Sequence, residues 1–334
     1  MQNGYADIII EHQKGDSIRD ITEIVTGVSL SGDVNRAFRD LSISLMNTLD
    51  GRSRRIRFEN GDKIRFFNHD KELFRGRIFS FDVNHEGAET LTVYDTNVYL
   101  NKSQIDRRFI NSKATDIIRN ISREIGITPG TIADTGYVIP KLVAEADTVY
   151  TTFMDALEIT KKQNGRTFHL FNDKGRLSLA ERKDRIAPVV IEAGVNLLSA
   201  NYSQSIEDLR NRLIMKGGEN DEFREVRINR DLIEKFGLMQ AIEDYNGDDA
   251  TASEVKQAAD QRFKELTTID DEAKVSALGV NGINCGMAVY VIDEMTGILG
   301  AYYITHDSHT FSNGMHQMRL TLTATDDLPK LQIK

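Results

Sequence analysis

Gly61-Asp62-Lys63-Ile64-Arg65-Phe66-Phe67, a polar turn, Leu73-Phe74-Arg75-Gly76-Arg77-Ile78-Phe79, then Thr90-Leu91-Thr92-Val93-Tyr94-Asp95 form the stretch that decides the fold. Apolar side chains recur there with a period of two, which predicts half-buried strands joined as a meander, with a hairpin at Asn84-His85-Glu86-Gly87. A parallel series stands near the C-terminus: Gly286-Met287-Ala288-Val289-Tyr290-Val291, Ile298-Leu299-Gly300-Ala301-Tyr302-Tyr303-Ile304 and Arg319-Leu320-Thr321-Leu322-Thr323-Ala324. Ile64 to Gly76 spans 12 residues and Val289 to Gly300 spans 11, so the two series match in order and spacing. Each middle strand contains a glycine, which permits a bulge or a close backbone approach. The parallel reads as a duplication of one strand block.

Outward from the first series, Ala6 to Glu11, Ile21 to Ser31 and Phe38 to Met46 also read as strands, and Ile56, Phe58, Ile64 and Phe66 continue the period. Short strands at this spacing predict a small barrel or sandwich. From about residue 105 the character changes. Ser112 is the expected N-cap of a helix carrying Ala114, Ile117, Ile118, Ile121 and Ile125, with Gly126 as its stop. Pro129-Gly130 reads as a turn, and Thr152 with Asp155 as a capping pair opening a second helix with Phe153, Ala156, Leu157 and Thr160. Two strands around Asn172-Asp173-Lys174-Gly175 complete an α+β insert. Strands resume near Leu197, interrupted by a short helix ending at Gly237 and by Ala250 to Thr267, the longest helical signal. The expected division is 1–104, 105–196 and 197–334, in an α+β fold that is mainly β.

The 334 residues are 40% hydrophobic and 28% charged, enough apolar content for a real core. Fifty-one acidic and 42 basic residues give a net charge of −9, the wrong sign for gripping nucleic-acid phosphates. The single cysteine, Cys285, excludes an intrachain disulfide and a cysteine-based zinc site. Met1-Gln2-Asn3-Gly4-Tyr5 has no basic or apolar leader character. Val275 to Ile292 lacks charge over 18 positions, close to a bilayer-spanning length. It also holds Gly279, Gly282, Gly286 and the turn dipeptide Asn281-Gly282, so it reads as strand, turn, strand in a soluble protein.

His306-Asp307-Ser308-His309, with His316 nearby, has the residue types of a hydrolase or a metal site. In a strand His306 and His309 point to opposite faces, and Asn313-Gly314 marks a hairpin tip, so exposed polar residues around a turn are the expectation. His85-Glu86-Gly87-Ala88-Glu89 imitates half a zincin motif without the second histidine or the helix it needs. No phosphate-binding glycine loop or nucleophile elbow is present, and Asp270-Asp271-Glu272 reads as solvated. Arg52, Arg54, Arg55 and Arg57, with Arg75 and Arg77 on a later strand, suit a phosphate, a partner-facing patch or a loop salt-bridge set. Residues 241–277 carry ten acids against four bases, an acidic helix face.

Gly61-Asp62-x-Ile64, Glu72-Leu73-Phe74-Arg75-Gly76-Arg77-Ile78 and Tyr94-Asp95-x-x-x-Tyr99-Leu100 resemble the baseplate hub proteins of contractile phage tails, of the PBSX-type XkdQ/YqbQ kind. Ser205-Ile206-Glu207-Asp208-Leu209-x-Asn211-Arg212-Leu213, Gly297 to Ile304 and His306-x-x-His309-x-Phe311 extend the resemblance over almost the whole chain. It implies two tube-like β-barrel domains flanking the insert, in a structural hub from a phage, a prophage or a phage-tail-like bacteriocin (tailocin). It further implies a homotrimer matching a hexameric tail tube protein to a trimeric central spike protein, in contact with other baseplate proteins. The particle is then assembled in the host cytoplasm. The implied role needs no catalytic residue, cofactor or metal, no stable nucleic-acid binding and no membrane insertion. Phe74, Gly76, Leu299 and Gly300 are the expected interface candidates. In such a ring the lumen is expected to be acidic or neutral, with Arg52 to Arg57 facing away from it. The alternative is a tail-associated peptidoglycan hydrolase with its site between His306 and His316.

Overall fold

The computed structural model describes residues 4–218, 222–245 and 251–324. Two compact units result: residues 1–201 with 273–334, and residues 202–272. In the first, the N-terminal strands are β1 (Ile8–Lys14), β2 (Ser17–Asp20), β3 (Val25–Asp33), β4 (Asp40–Met46), β5 (Lys63–Asn68), β6 (Lys71–Val83) and β7 (Ala88–Asp95). The middle segment holds α1 (Val98–Lys102), β8 (Gln104–Lys113), α2 (Ala114–Glu124), β9 (Pro129–Ile132), β10 (Val138–Thr148), α3 (Val149–Asn164), β11 (Phe168–Asp173) and β12 (Arg176–Glu181). Then come β13 (Ile186–Glu192) and β14 (Leu197–Ser205). The second unit supplies β15 (Arg212–Gly217), β16 (Phe223–Ile228), α4 (Arg230–Phe236), β17 (Gln240–Asp244) and α5 (Ala252–Leu266). The chain returns through β18 (Asp270–Leu278), β19 (Ala288–Asp293), β20 (Ile298–Ser312) and β21 (Met315–Ala324).

The two strand blocks share a 13-stranded sheet among the described residues. Its first part runs β3-β4-β7-β6-β5-β1, and its second runs β14-β18-β21-β20-β19-β13. Numbered by position within each block, these are the same strand order. The repeat expected from three strands therefore extends to six. One pairing differs in sense: β1 is antiparallel to β5, whereas β13 is parallel to β19. The blocks do not form separate closed barrels among the described residues. They are spliced into one sheet by β20, which pairs with β19 and β21 and also with β3.

Alternation gives that sheet an apolar face. His309, Leu30, Leu41, Val93 and Ile78 lie in register across five strands, as do Phe311, Val28, Ile43, Leu91 and Phe81. One core in this unit gathers around Ile10, Leu41, Ile64, Phe66 and Phe74, and another around Val275, Val289, Val291, Ile304 and Leu320. The middle segment has its own, built from Ile117, Ile118 and Ile121 of α2 and Phe153, Ala156 and Leu157 of α3. Val275 to Ile292 is indeed strand, glycine-rich turn and strand, and no described helix is long and apolar enough to cross a membrane.

Three local expectations are corrected. Ser112 is not a cap, because β8 continues through it to pair with Ile139, and Lys113 stands at the N-cap of α2. Thr152 lies inside α3, whose true cap is Thr148, its hydroxyl accepting from the Thr151 amide at 3.1 Å. Pro129-Gly130 belongs to β9, and a Cβ on Gly130 would meet Ser178 Oγ at 2.4 Å, so this glycine allows close packing. In the second unit, α5 covers the three-stranded sheet β16-β15-β17, with Val255 and Ala259 against Leu213 and Met215. Its start is a capping box of Thr251 and Glu254. Ala250, the expected first residue, lies outside the described residues, as do Asp248 and Asp249 of the acidic run.

The two repeat glycines serve different ends. A Cβ on Gly76 would lie 2.3 Å from the Tyr94 carbonyl oxygen, which is fixed backbone, whereas Gly300 has open space but φ +125°. Gly76→Ala should therefore destabilise by about 3 kcal/mol, at the upper range of overpacking. Gly300→Ala should cost about 1 kcal/mol of backbone strain. Urea unfolding of both variants checks the order.

Candidate functional site

The His306–His316 segment is where the chain concentrates its chemistry. β20 carries a bulge between Ile304 and His306 in its pairing with β21. The extra residue lets Ile304 and Asp307, three apart, both face inward. His306 is thereby turned to the open face, 3.5 Å from Asp33, while His309 is 3% exposed and His316 1%. The opposite-face reading of His306 and His309 holds. The expectation of exposed polar residues around the turn does not hold for Asp307, His309 and His316. The tip itself is Asn313-Gly314, both with positive φ.

Inside, Asp307 accepts the Cys285 backbone amide at 2.6 Å and pairs with the Arg39 guanidinium. Burial pushes its carboxyl up, against the pull of Arg39. His309 Nε2 lies 2.8 Å from the Ile283 carbonyl oxygen, which can only accept, so Nε2 carries the proton. His309 Nδ1 then accepts from His316 Nε2 at 2.9 Å. Both rings are neutral, and burial lowers each pKa to about 3, with Arg39 adding to the effect at His309 and His309 at His316. The His316 ring stacks on Phe311 with centroids 4.0 Å apart, and a Cβ on Gly279 would meet it at 2.1 Å. Close by, burial pushes Asp95 up to about 7, although its carboxylate accepts the amides of Arg39 and Asn97.

This constellation ties β20 and β21 to the loop before β4 and to the 283–285 segment. Ser308 shares the open face with Ser31, opposite to His309, so its hydroxyl is not aligned with the imidazole. Burial pushes the Cys285 thiol up and away from the thiolate a nucleophile needs. Among the described residues no group of three or more His, Cys, Asp or Glu side chains converges on a metal-sized site. The Glu86-Gly87 segment is the expected hairpin, with Glu89 turned inward to accept from Asn47 at 2.6 Å.

The YQBQ-like family pattern matches residues 28–323. The chain belongs to the YqbQ-like family. The XkdQ protein of the phage-like element PBSX of Bacillus subtilis is 31% identical over 310 residues, covering 92% of this chain and 94% of that one. Among solved structures, the 43 kDa tail protein of prophage MuSo2 from Shewanella oneidensis matches with a TM-score of 0.70 at 16% identity, covering 97% of this chain and 100% of that chain. A tail protein from Neisseria meningitidis gives 0.66 at 10% identity, covering 95% and 96%. The fold is thus that of prophage tail proteins.

Against that family background the four interface candidates separate. Phe74 is 4% exposed in the first core, and Gly76 is enclosed between β5 and β7. Leu299 is 47% exposed, and Leu299 and Gly300 pair with β19. The arginine cluster is partly spoken for: Arg55 pairs with Glu23 at 2.6 Å, Arg54 lies 4.0 Å from Glu89, and Arg75 is held by Glu72. Arg77 donates to the Gly61 carbonyl oxygen at 2.8 Å.

The buried histidines set a pH dependence. Their folded pKa values lie below the ordinary 6.5, so between pH 6.5 and about 3 the unfolded chain takes up protons that the native state refuses. Stability from these groups is present above pH 6.5 and lost as pH falls, whereas Asp95 and Asp307, raised on folding, act in the opposite sense. The test is therefore a difference. Between pH 7 and pH 5, wild type should lose about 2 kcal/mol more stability than His309→Gln. Equal losses in urea titrations at the two pH values would mean that His309 accepts a proton within the fold.

Proposed function

We propose that this chain is a structural baseplate hub of a contractile tail, a homotrimeric ring that adapts the sixfold tail tube to the threefold spike. The observation that carries this reading is the strand order found twice in one chain. Three chains then present six equivalent blocks to the tube protein while remaining three subunits to the spike. On this reading the division 1–104, 105–196 and 197–334 gives two tube-like domains with an insert between them, except that β13, at the end of 105–196, is the first strand of the second repeat; residues 202–272 are an addition within the third part. The family relatives and the prophage-tail fold support placement in the tail particle, beside other baseplate proteins. The work is mechanical, with affinity spread over broad contacts rather than a pocket.

The open face of the shared sheet supports a channel wall. Gln317, Thr310, Ser29, Ser42, Thr92 and Ser80 lie in one register row across six strands, and Gly27, Ser44, Thr90 and Asp82 form another. Charges of both signs flank these rows: Asp40 lies in register with Arg319, Arg77 and Lys63, and Asp33 with Lys274. The hydroxyl rows themselves carry no cation that could hold a phosphate.

The purified protein should scatter light with three times the 37.7 kDa mass of the chain. Leu299 and Gly300 are the proposed contact residues, so Leu299→Asp should shift that mass toward the monomer while leaving the circular dichroism spectrum unchanged. A stable dimer, or a trimer indifferent to Leu299→Asp, would remove respectively the symmetry argument and this placement.

A further inference from the structure

Where the β3–β4 loop, the β11–β12 hairpin and the segment 281–284 meet, they line a half-open cavity of about 340 Å³. Its wall includes Arg39, Arg185, Lys174, Asn284, Gly282 and His316. Two of these cations are unusual. Arg185 is largely buried, yet no described carboxylate lies within ion-pair distance of it. Its guanidinium rests on the Phe171 ring at 4.0 Å, donates to Asn284 Oδ1 at 2.7 Å, and reaches the Cys285 carbonyl oxygen only at 3.4 Å. Burial lowers its pKa to about 10, with the neighbouring Arg39 adding to the effect and Asp307 opposing it. Arg39 is paired with Asp307 through one terminal nitrogen, while its Nε is buried with no partner.

Buried guanidinium donors are ordinarily met by carboxylate or phosphate oxygens, because an unmet buried charge is costly. The acids in the wall do not meet these. Glu72 is occupied by Arg65 and Arg75, and Asp173 is exposed at the rim. His309 and His316 are neutral and add no charge. Gly282, at φ +89°, turns the 281–284 segment where it lines the cavity.

We propose that this cavity is an oxyanion site, in which Arg185 and Arg39 hold a phosphate or carboxylate group with Lys174 at its mouth. Aromatic support from Phe171 orients the Arg185 fork for two-pronged contact, which a lysine cannot reproduce. The site is independent of the subunit count and of any role in a tail.

The test is a titration with inorganic phosphate, and separately with acetate, at up to 10 mM, with sodium chloride holding ionic strength constant. This range lies below the general stabilising effect of concentrated phosphate. The expected result is a saturable rise in Tm of about 3 °C or more with one of the two anions, following the law for a ligand that binds only the native state. The responding anion identifies the class as phosphate or carboxylate. Arg185→Gln should abolish the rise. Lys174→Gln, at an exposed position, should weaken it several-fold without altering the ligand-free Tm, and so tests the site even if Arg185→Gln fails to fold. Flat titrations with both anions, or a rise unchanged in the variants, would overturn the proposal.

Discussion

Everything else in the larger unit depends on the antiparallel pairing of β3 with β20. It joins residues 28–33 to residues 306–311, nearly three hundred positions apart. Because β20 serves two neighbours in succession, it must be long, and it runs for 15 residues. Its N-terminal half completes the second block, and its C-terminal half supplies Phe311 to the first core, edge-on to Phe66 with centroids 4.9 Å apart. The bulge at Ile304/His306 is what makes both uses compatible. Without the extra residue, a strand whose Ile304 faces one core would turn Asp307 and His309 outward.

The buried polar cluster is the price of that splice. Asp307 sits opposite Gly32, where a side chain would crowd it: a Cβ there would stand 3.1 Å from its carboxylate oxygen. Paired to Arg39, it ties the loop before β4 to the strand that closes the sheet. Removing either partner strands a charge in low dielectric, which costs more than the pair returns. The cluster's value is thus one of register. A shift of β20 by one residue would expose Asp307 and His309 and take them from the partners they have in this register, a penalty the apolar rows alone do not impose.

Period-two stretches such as Lys63–Asn68 and Ala88–Asp95 were legible in the sequence because one face is buried and the other is not. The Ile117, Ile118, Ile121 stripe of α2 was legible for the corresponding helical reason. β8 was not: Gln104-Ile105-Asp106-Arg107-Arg108 is polar because this strand is mostly exposed, paired among the described residues with β10 alone. Nor was the burial of His309 and His316, since local polarity signals a loop unless the partners are known. Those partners, Arg39, Gly279 and Ile283, are brought in by tertiary pairing, and spacing along the chain carries no trace of them. Gly279 was the one available hint, a glycine with no turn of its own and an imidazole packed on it.

The repeat also explains where the chain tolerates addition. In the first block β3 and β4 are joined by residues 34–39, whereas the equivalent link between β14 and β18 holds an entire folded unit. The middle segment likewise enters between β7 and β13, where one block ends and the next begins. Lengthening a loop adds closure entropy only as its logarithm, and a link between strands that are already neighbours leaves their pairing untouched. The same change inside β20 would break the splice between the blocks. Strand order is therefore the part of this architecture that cannot vary independently, and the links carry what differs from one block to the other.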